Sequence, residues 1–131
     1  MTLKSIRIEL ARSPARPDGD GGHAYEFRAP LDKSGLLDHG AWQGAKQLCT
    51  VRRYLNGEQV EQGLLIMSRG GHWAFSYVPG KEDDEGIFRL GHHRIAPGEY
   101  LTVTEHDGEA RTFRVASVRD WHPGAEDRAV H

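Results

Sequence analysis

The sequence predicts an all-β fold: a small antiparallel barrel or two-sheet sandwich of about eight strands, with at most one short helix near residues 34–48. Turn signals recur at short intervals along the chain, and apolar and polar residues alternate with a period of two between them. Helical periodicity is nearly absent. Closure into a barrel is preferred to a sandwich because it leaves no exposed strand edge.

The elements follow in order. Ser5 to Leu10 alternates Ile6, Ile8 and Leu10 with Arg7 and Glu9, the pattern of a half-buried strand. A proline- and glycine-rich loop, residues 13–22, leads to a second strand, His23 to Leu31, with Tyr25, Phe27 and Ala29 on one face. Residues 34–48 hold either a short helix or a loop leading into a strand near Trp42. Asn56-Gly57 is a strong hairpin signal, since a type I′ turn needs positive φ at both central positions. A two-residue loop there pairs Leu55 with Glu58, Arg52 with Glu61 and Cys49 with Leu64. Gly70-Gly71 makes the next turn, pairing Leu64 with Tyr77 and Ile66 with Phe75, with Trp73, Phe75 and Tyr77 facing the core. In that register Leu65, Met67, Ala74 and Val78 form a second apolar face. It needs cover, for which residues 34–48 are the favoured source and a second copy, in a homodimer, is the alternative. The final hairpin suits a three-residue loop, His106-Asp107-Gly108, which pairs Leu101 with Phe113 and Val103 with Arg111.

A length of 131 residues fits one domain, expected over 1–121, with a patternless tail at 122–131 expected to be disordered. The formal charge is −2, with no clustered basic stretch, so neither a nucleic acid nor an anionic membrane surface is an expected partner. The N-terminal segment lacks the apolar core of a signal peptide, and no apolar run has the length of a membrane helix, so a soluble, cytoplasmic location is expected. The single cysteine, Cys49, flanked by Leu48 and Val51, suits an inert buried thiol.

No nucleophile elbow, phosphate loop or fixed-spacing zinc motif is present, and the expectation leans away from an enzyme, with no cofactor. The acidic run 81–85 suits a solvated strand connection, with a cation held by its carboxylates as the alternative. Asp18 to Gly22 opens like a calcium loop, but Ala29 occupies the twelfth position where a glutamate ligand belongs.

Three short stretches resemble known barrel families. G40-A-W-Q-G44 resembles the G-x-W entry of calycin barrels, which implies a bound small hydrophobic ligand or haem, although here two strands precede it. H92-H-R-I-A-P-G-E99 is similar to the metal-ligand region of cupins, departing in having adjacent histidines where H-x-H belongs. P97-G-E-Y-L-T-V103 resembles a strand of flavin-binding reductase barrels, whose R-x-Y-[ST] signature is replaced by R111-T-F-R114.

Strand parity gives the sharper expectation. Adjacent strand residues face opposite ways, so His92 and His93 cannot both serve one site unless Gly91 introduces a bulge, and His92 with Arg94 is the inward pair. Across the Pro97-Gly98 turn His92 then lies opposite Val103, whose other neighbour is Arg111, and Arg53 shares the inward parity of its own strand. The expected function is a binding or interaction module that takes a small anionic ligand or acidic peptide at a barrel mouth formed by His92, Arg94, Arg111 and Arg53. The alternatives are a cupin-like enzyme whose metal is held by His72, His92 or His93 and Glu99, and a purely structural or oligomeric subunit.

Overall fold

The computed structural model describes residues 3–14, 16–68, 70–77 and 84–122. Eight antiparallel strands close into an up-and-down barrel in chain order: β1 (Leu3–Leu10), β2 (Asp20–Ala29), β3 (Thr50–Leu55), β4 (Glu58–Met67), β5 (Trp73–Ser76), β6 (Glu85–Ile87), β7 (Tyr100–Thr104) and β8 (Ala110–Trp121). β8 returns to pair with β1, so no strand edge is left open. The turns expected from the sequence form where the chemistry is local. Asn56 and Gly57 both take positive φ, at 53° and 80°. Leu101 pairs with Phe113 and Val103 with Arg111, with Gly108 at φ 82° closing the three-residue loop.

An eight-stranded barrel is just wide enough for its own side chains to fill it. Here Ile6, Ile8, Phe27, Val51, Phe75, Leu101, Phe113 and Val115 are all buried. Tyr25 stacks on Phe75 at 5.1 Å and meets Phe113 edge-on at 5.2 Å, so aromatic rings occupy the centre. One end, the turn end, carries the 56–57 and 105–109 turns. The other is capped by residues 30–49. There Asp38 accepts a hydrogen bond from the Ala41 amide and starts a single helical turn, α1 (His39–Gln43). The helix brings Trp42 into the core, where its ring meets Trp73 edge-on at 4.8 Å and its Nε1 donates to the Leu65 carbonyl at 3.0 Å. Residues 34–48 therefore hold the short helix. None of the described helices is long and apolar enough to cross a membrane.

The β3–β4 register departs from the sequence expectation. Leu55 faces Glu58 as expected, but a bulge at Val60 then shifts the ladder by one residue, so that Glu61 lies opposite Arg53 and Leu64 opposite Thr50. A one-residue slip reverses every side chain beyond it. Val60 is left 47% exposed, while Leu65 turns inward beside Phe75 and Met67 beside Trp73. The face expected to join Leu65, Met67, Ala74 and Val78 is therefore not one surface: Leu65 belongs to the core, and Val78 lies outside the described residues. The expected tail also lies outside them, apart from His122.

Past the bulge, β4 runs unusually close to β5. A Cβ added at Gly63 would stand 2.0 Å from the Ser76 carbonyl oxygen, so only glycine fits there. Gly63→Ala is expected to lower unfolding free energy by about 2 kcal/mol or more in urea denaturation. In the same assay Leu65→Ala should cost about 3 kcal/mol. Val60→Thr should stay within about 0.5 kcal/mol. The register without the bulge predicts the opposite ranking of these last two.

Candidate functional site

The turn end holds a buried polar cluster. Alternation along β7 carries Leu101, Val103 and then Glu105 inward, and Glu85 precedes Ile87 on the inner face of β6. Both carboxylates are enclosed, at 4% and 0% exposure. Tyr77 donates to Glu85 Oε1 at 2.7 Å, and the His106 amide donates to Glu85 Oε2 at 3.0 Å. His23 Nε2 lies 2.8 Å from Glu105 Oε2, and Arg111 donates to Glu105 Oε1 at 3.0 Å. Tyr25 sits between the two, its hydroxyl 2.8 Å from Glu85 and 2.6 Å from Glu105. A hydroxyl has one hydrogen, so both contacts are hydrogen bonds only when one carboxyl brings a proton of its own.

Arg53 spans the cluster, reaching the Tyr25 oxygen at 3.3 Å, Glu61 at 3.2 Å and Glu105 at 3.4 Å. Burial opposes its charge, but the Tyr25 bond and the Glu85 and Glu105 charges prevail and hold its guanidinium above its ordinary range. Burial, reinforced by the Glu85 charge, pushes the Tyr25 and Tyr77 hydroxyls well above theirs. Glu105 moves the other way. Burial raises it, yet hydrogen bonds from His23 and Tyr25 and the His23 and Arg53 charges outweigh that and lower it to about 2. Arg111 also forks onto Asp107 at 3.0 and 2.8 Å. Both arginines are thus engaged by carboxylates, and an anion arriving at this end would meet Glu61, Glu85, Glu105 and Asp107. The cluster is a polar plug.

The four residues expected to share a mouth divide between the two ends. Arg53 and Arg111 meet on Glu105 at the turn end. His92 and Arg94 lie at the capped end, because β6 stops at Ile87 and the inward parity assumed for residues 88–94 ends with it. Arg89 takes a left-handed φ of 50°, a 3-10 turn follows over Leu90–His92, and Val103 pairs with Ile87, leaving no place opposite it for His92. Arg94 stands beside a shallow hollow with Lys4, Lys33 and Pro97. Among the described residues no three His, Cys, Asp or Glu side chains are placed to hold a metal ion. His72 and His92 line one groove, whereas His93 and Glu99 are not part of its wall. Glu85, expected in a solvated acidic loop, is instead buried. Cys49 is buried too, and burial, against a smaller opposing pull from Arg28, pushes its thiol up to about 11.

That groove has a volume of about 920 Å³, against about 510 Å³ for the hollow beside Arg94. Its cause is the short β6, which makes two ladder pairs with β5 and two with β7 and leaves a gap beside the β4–β5 turn and α1. Leu37, Met67, Trp73, Ile87 and Leu90 give it an apolar floor, and Phe88 stands at its edge, 60% exposed. Its charged and titratable groups are Arg89, His39, His72 and His92, and no carboxylate lines it among the described residues. The Arg89 guanidinium lies over the Phe88 ring at 5.0 Å. Trp73 is 6% exposed, and its indole N–H has no hydrogen-bond partner among the described residues. Gly91 keeps that N–H open, since a Cβ there would stand 3.1 Å from Nε1.

Sequence reasoning missed Tyr25, Tyr77, Glu85 and Glu105 as one cluster, and missed His39, Trp73 and Arg89 at the groove. The inward parity of Glu105 after Leu101 and Val103 was visible; the convergence was not. No protein-family model, curated protein or solved structure matches the chain.

Glu105 makes the stability of the plug acid-sensitive. Its folded value, about 2, lies below its ordinary value of 4.5, so its contribution is complete above pH 4.5 and is lost as pH falls through about 2. Allowing for screening by solvent at the rim, on the order of 2 kcal/mol should disappear over that range in denaturation at stepped pH. Glu105→Gln should be less stable at pH 7 and show a flatter acid limb.

Proposed function

We propose that the chain is a small-ligand-binding module whose site is the capped-end groove, and that its ligand is a small anion with an apolar body. One observation carries the reading: a groove with an apolar floor gathers an arginine, three histidines and an unpartnered indole N–H, with no carboxylate among its described lining residues. Such a wall supplies donors and positive charge but no charged acceptor, so it favours an anion and penalises a cation. The exposed Phe88 fits a contact surface better than a solvated position.

Arg89 adds support. Left-handed backbone is uncommon for an arginine and costs about 1 kcal/mol relative to glycine there. The conformation places the guanidinium over Phe88 at the groove edge.

Titration calorimetry with sodium benzoate, sodium decanoate and inorganic phosphate, set against benzamidine, tests the reading. At least one anion should bind saturably and benzamidine should not. Arg89→Gln should weaken the bound anion about tenfold. Arg89→Gly should also weaken it, while leaving unfolding stability unchanged or up to about 1 kcal/mol higher. Binding of benzamidine in preference to every anion would reverse the assignment.

A further inference from the structure

Resting on the groove as an anion site, we propose that its ligand class is the flat aromatic monocarboxylate, with its ring against Phe88 and the apolar floor and an acceptor oxygen on the Trp73 indole N–H.

The charge sets the head group. Arg89 is the one arginine or lysine among the described lining residues, and a single guanidinium fork matches a planar carboxylate in both charge and geometry. A phosphate dianion calls for more permanent positive charge than this wall supplies. The two arginines of the turn-end cluster, Arg53 and Arg111, are already held by Glu105 and its neighbours, so they cannot serve here.

The filled barrel sets the body. Phe27, Phe75 and Phe113 close the interior, so the groove does not continue into a tunnel along which an alkyl chain could extend. A compact, flat ring suits the space between Phe88 and Trp73 better than a long tail.

The Trp73 N–H sets the polar match. The N–H has no hydrogen-bond partner among the described residues and is not one of the enclosed polar atoms, so it is open to an acceptor oxygen in the groove that Trp73 lines, in place of water. Its ring is fixed by edge contacts with Trp42 at 4.8 Å and with His39 at 5.8 Å, so the N–H is pre-aimed. Gly91, with no side chain, leaves the approach clear.

The chain has three tryptophans, so a nitrogen-15 spectrum resolves three indole signals, and Trp73 is assigned by its loss in Trp73→Phe. The probes are 2-naphthoate, 2-naphthylmethanol, decanoate and inorganic phosphate. 2-Naphthoate should shift the Trp73 indole signal saturably, leave that of Trp121 in place, and bind about tenfold tighter than the alcohol or decanoate. Gly91→Ala should weaken 2-naphthoate about tenfold by crowding the N–H, while Arg89→Gln brings it to the level of the alcohol. Decanoate or phosphate binding as tightly as 2-naphthoate overturns the ligand class and leaves the anion site standing. Saturable binding of 2-naphthoate without movement of the Trp73 signal overturns the class as well. No saturable binding by any of the anions overturns both this proposal and the function on which it rests.

Discussion

A carboxylate inside a closed barrel must be met by donors, and the burial of Glu85 and Glu105 governs how this chain distributes its polar groups. Two tyrosines, two arginines, a histidine side chain and a backbone amide converge on them at the turn end. Removing one partner would leave a buried charge uncompensated, which costs far more than the net strength of any single bond. Replacement of the set by apolar residues is a different matter, since desolvation offsets much of what such networks contribute. The cluster therefore explains why these side chains depend on one another without making them the main source of stability, which lies in the buried aromatic and aliphatic interior.

The other end of the barrel differs. Arg53 and Arg111 are occupied by carboxylates, whereas Arg89 lies over Phe88 beside a groove with no carboxylate among its described lining residues. Barrel geometry contributes too. β6 has three residues, and the wall opens where it fails to cover the β4–β5 turn. Backbone bonding to β7 reaches Phe88, whose amide donates to the Thr102 carbonyl at 2.9 Å. The strand direction is lost at Arg89, in a left-handed conformation that an arginine does not favour.

Short-range chemistry was legible from the sequence. The Asn56-Gly57 turn, the 106–108 loop and the Pro97-Gly98 corner each require a backbone shape that few residues tolerate, and each forms as expected; the Glu99 amide donates to the Ala96 carbonyl at 3.0 Å across the last of them. The β3–β4 register failed for an equally local reason. Val60 looks like an ordinary strand residue, and nothing beside it marks a bulge. That one inserted position was enough to exchange Leu64 and Ile66 for Leu65 and Met67 on the inner face.

By itself, the sequence determined the all-β class, most of the turns and the inward parity of Arg53 and Arg111, because these depend on residues a few positions apart. Tertiary structure alone decided that the two arginines end on Glu105, that His92 and Arg94 lie at the opposite end, and that Glu85 is interior. It also decided that His39, Trp73 and Arg89 border one groove. Several of those relations join positions far apart in the chain, 52 residues between Arg53 and Glu105 and 34 between His39 and Trp73. Their distances follow from barrel closure, strand stagger and bulges, each the outcome of packing the whole interior at once.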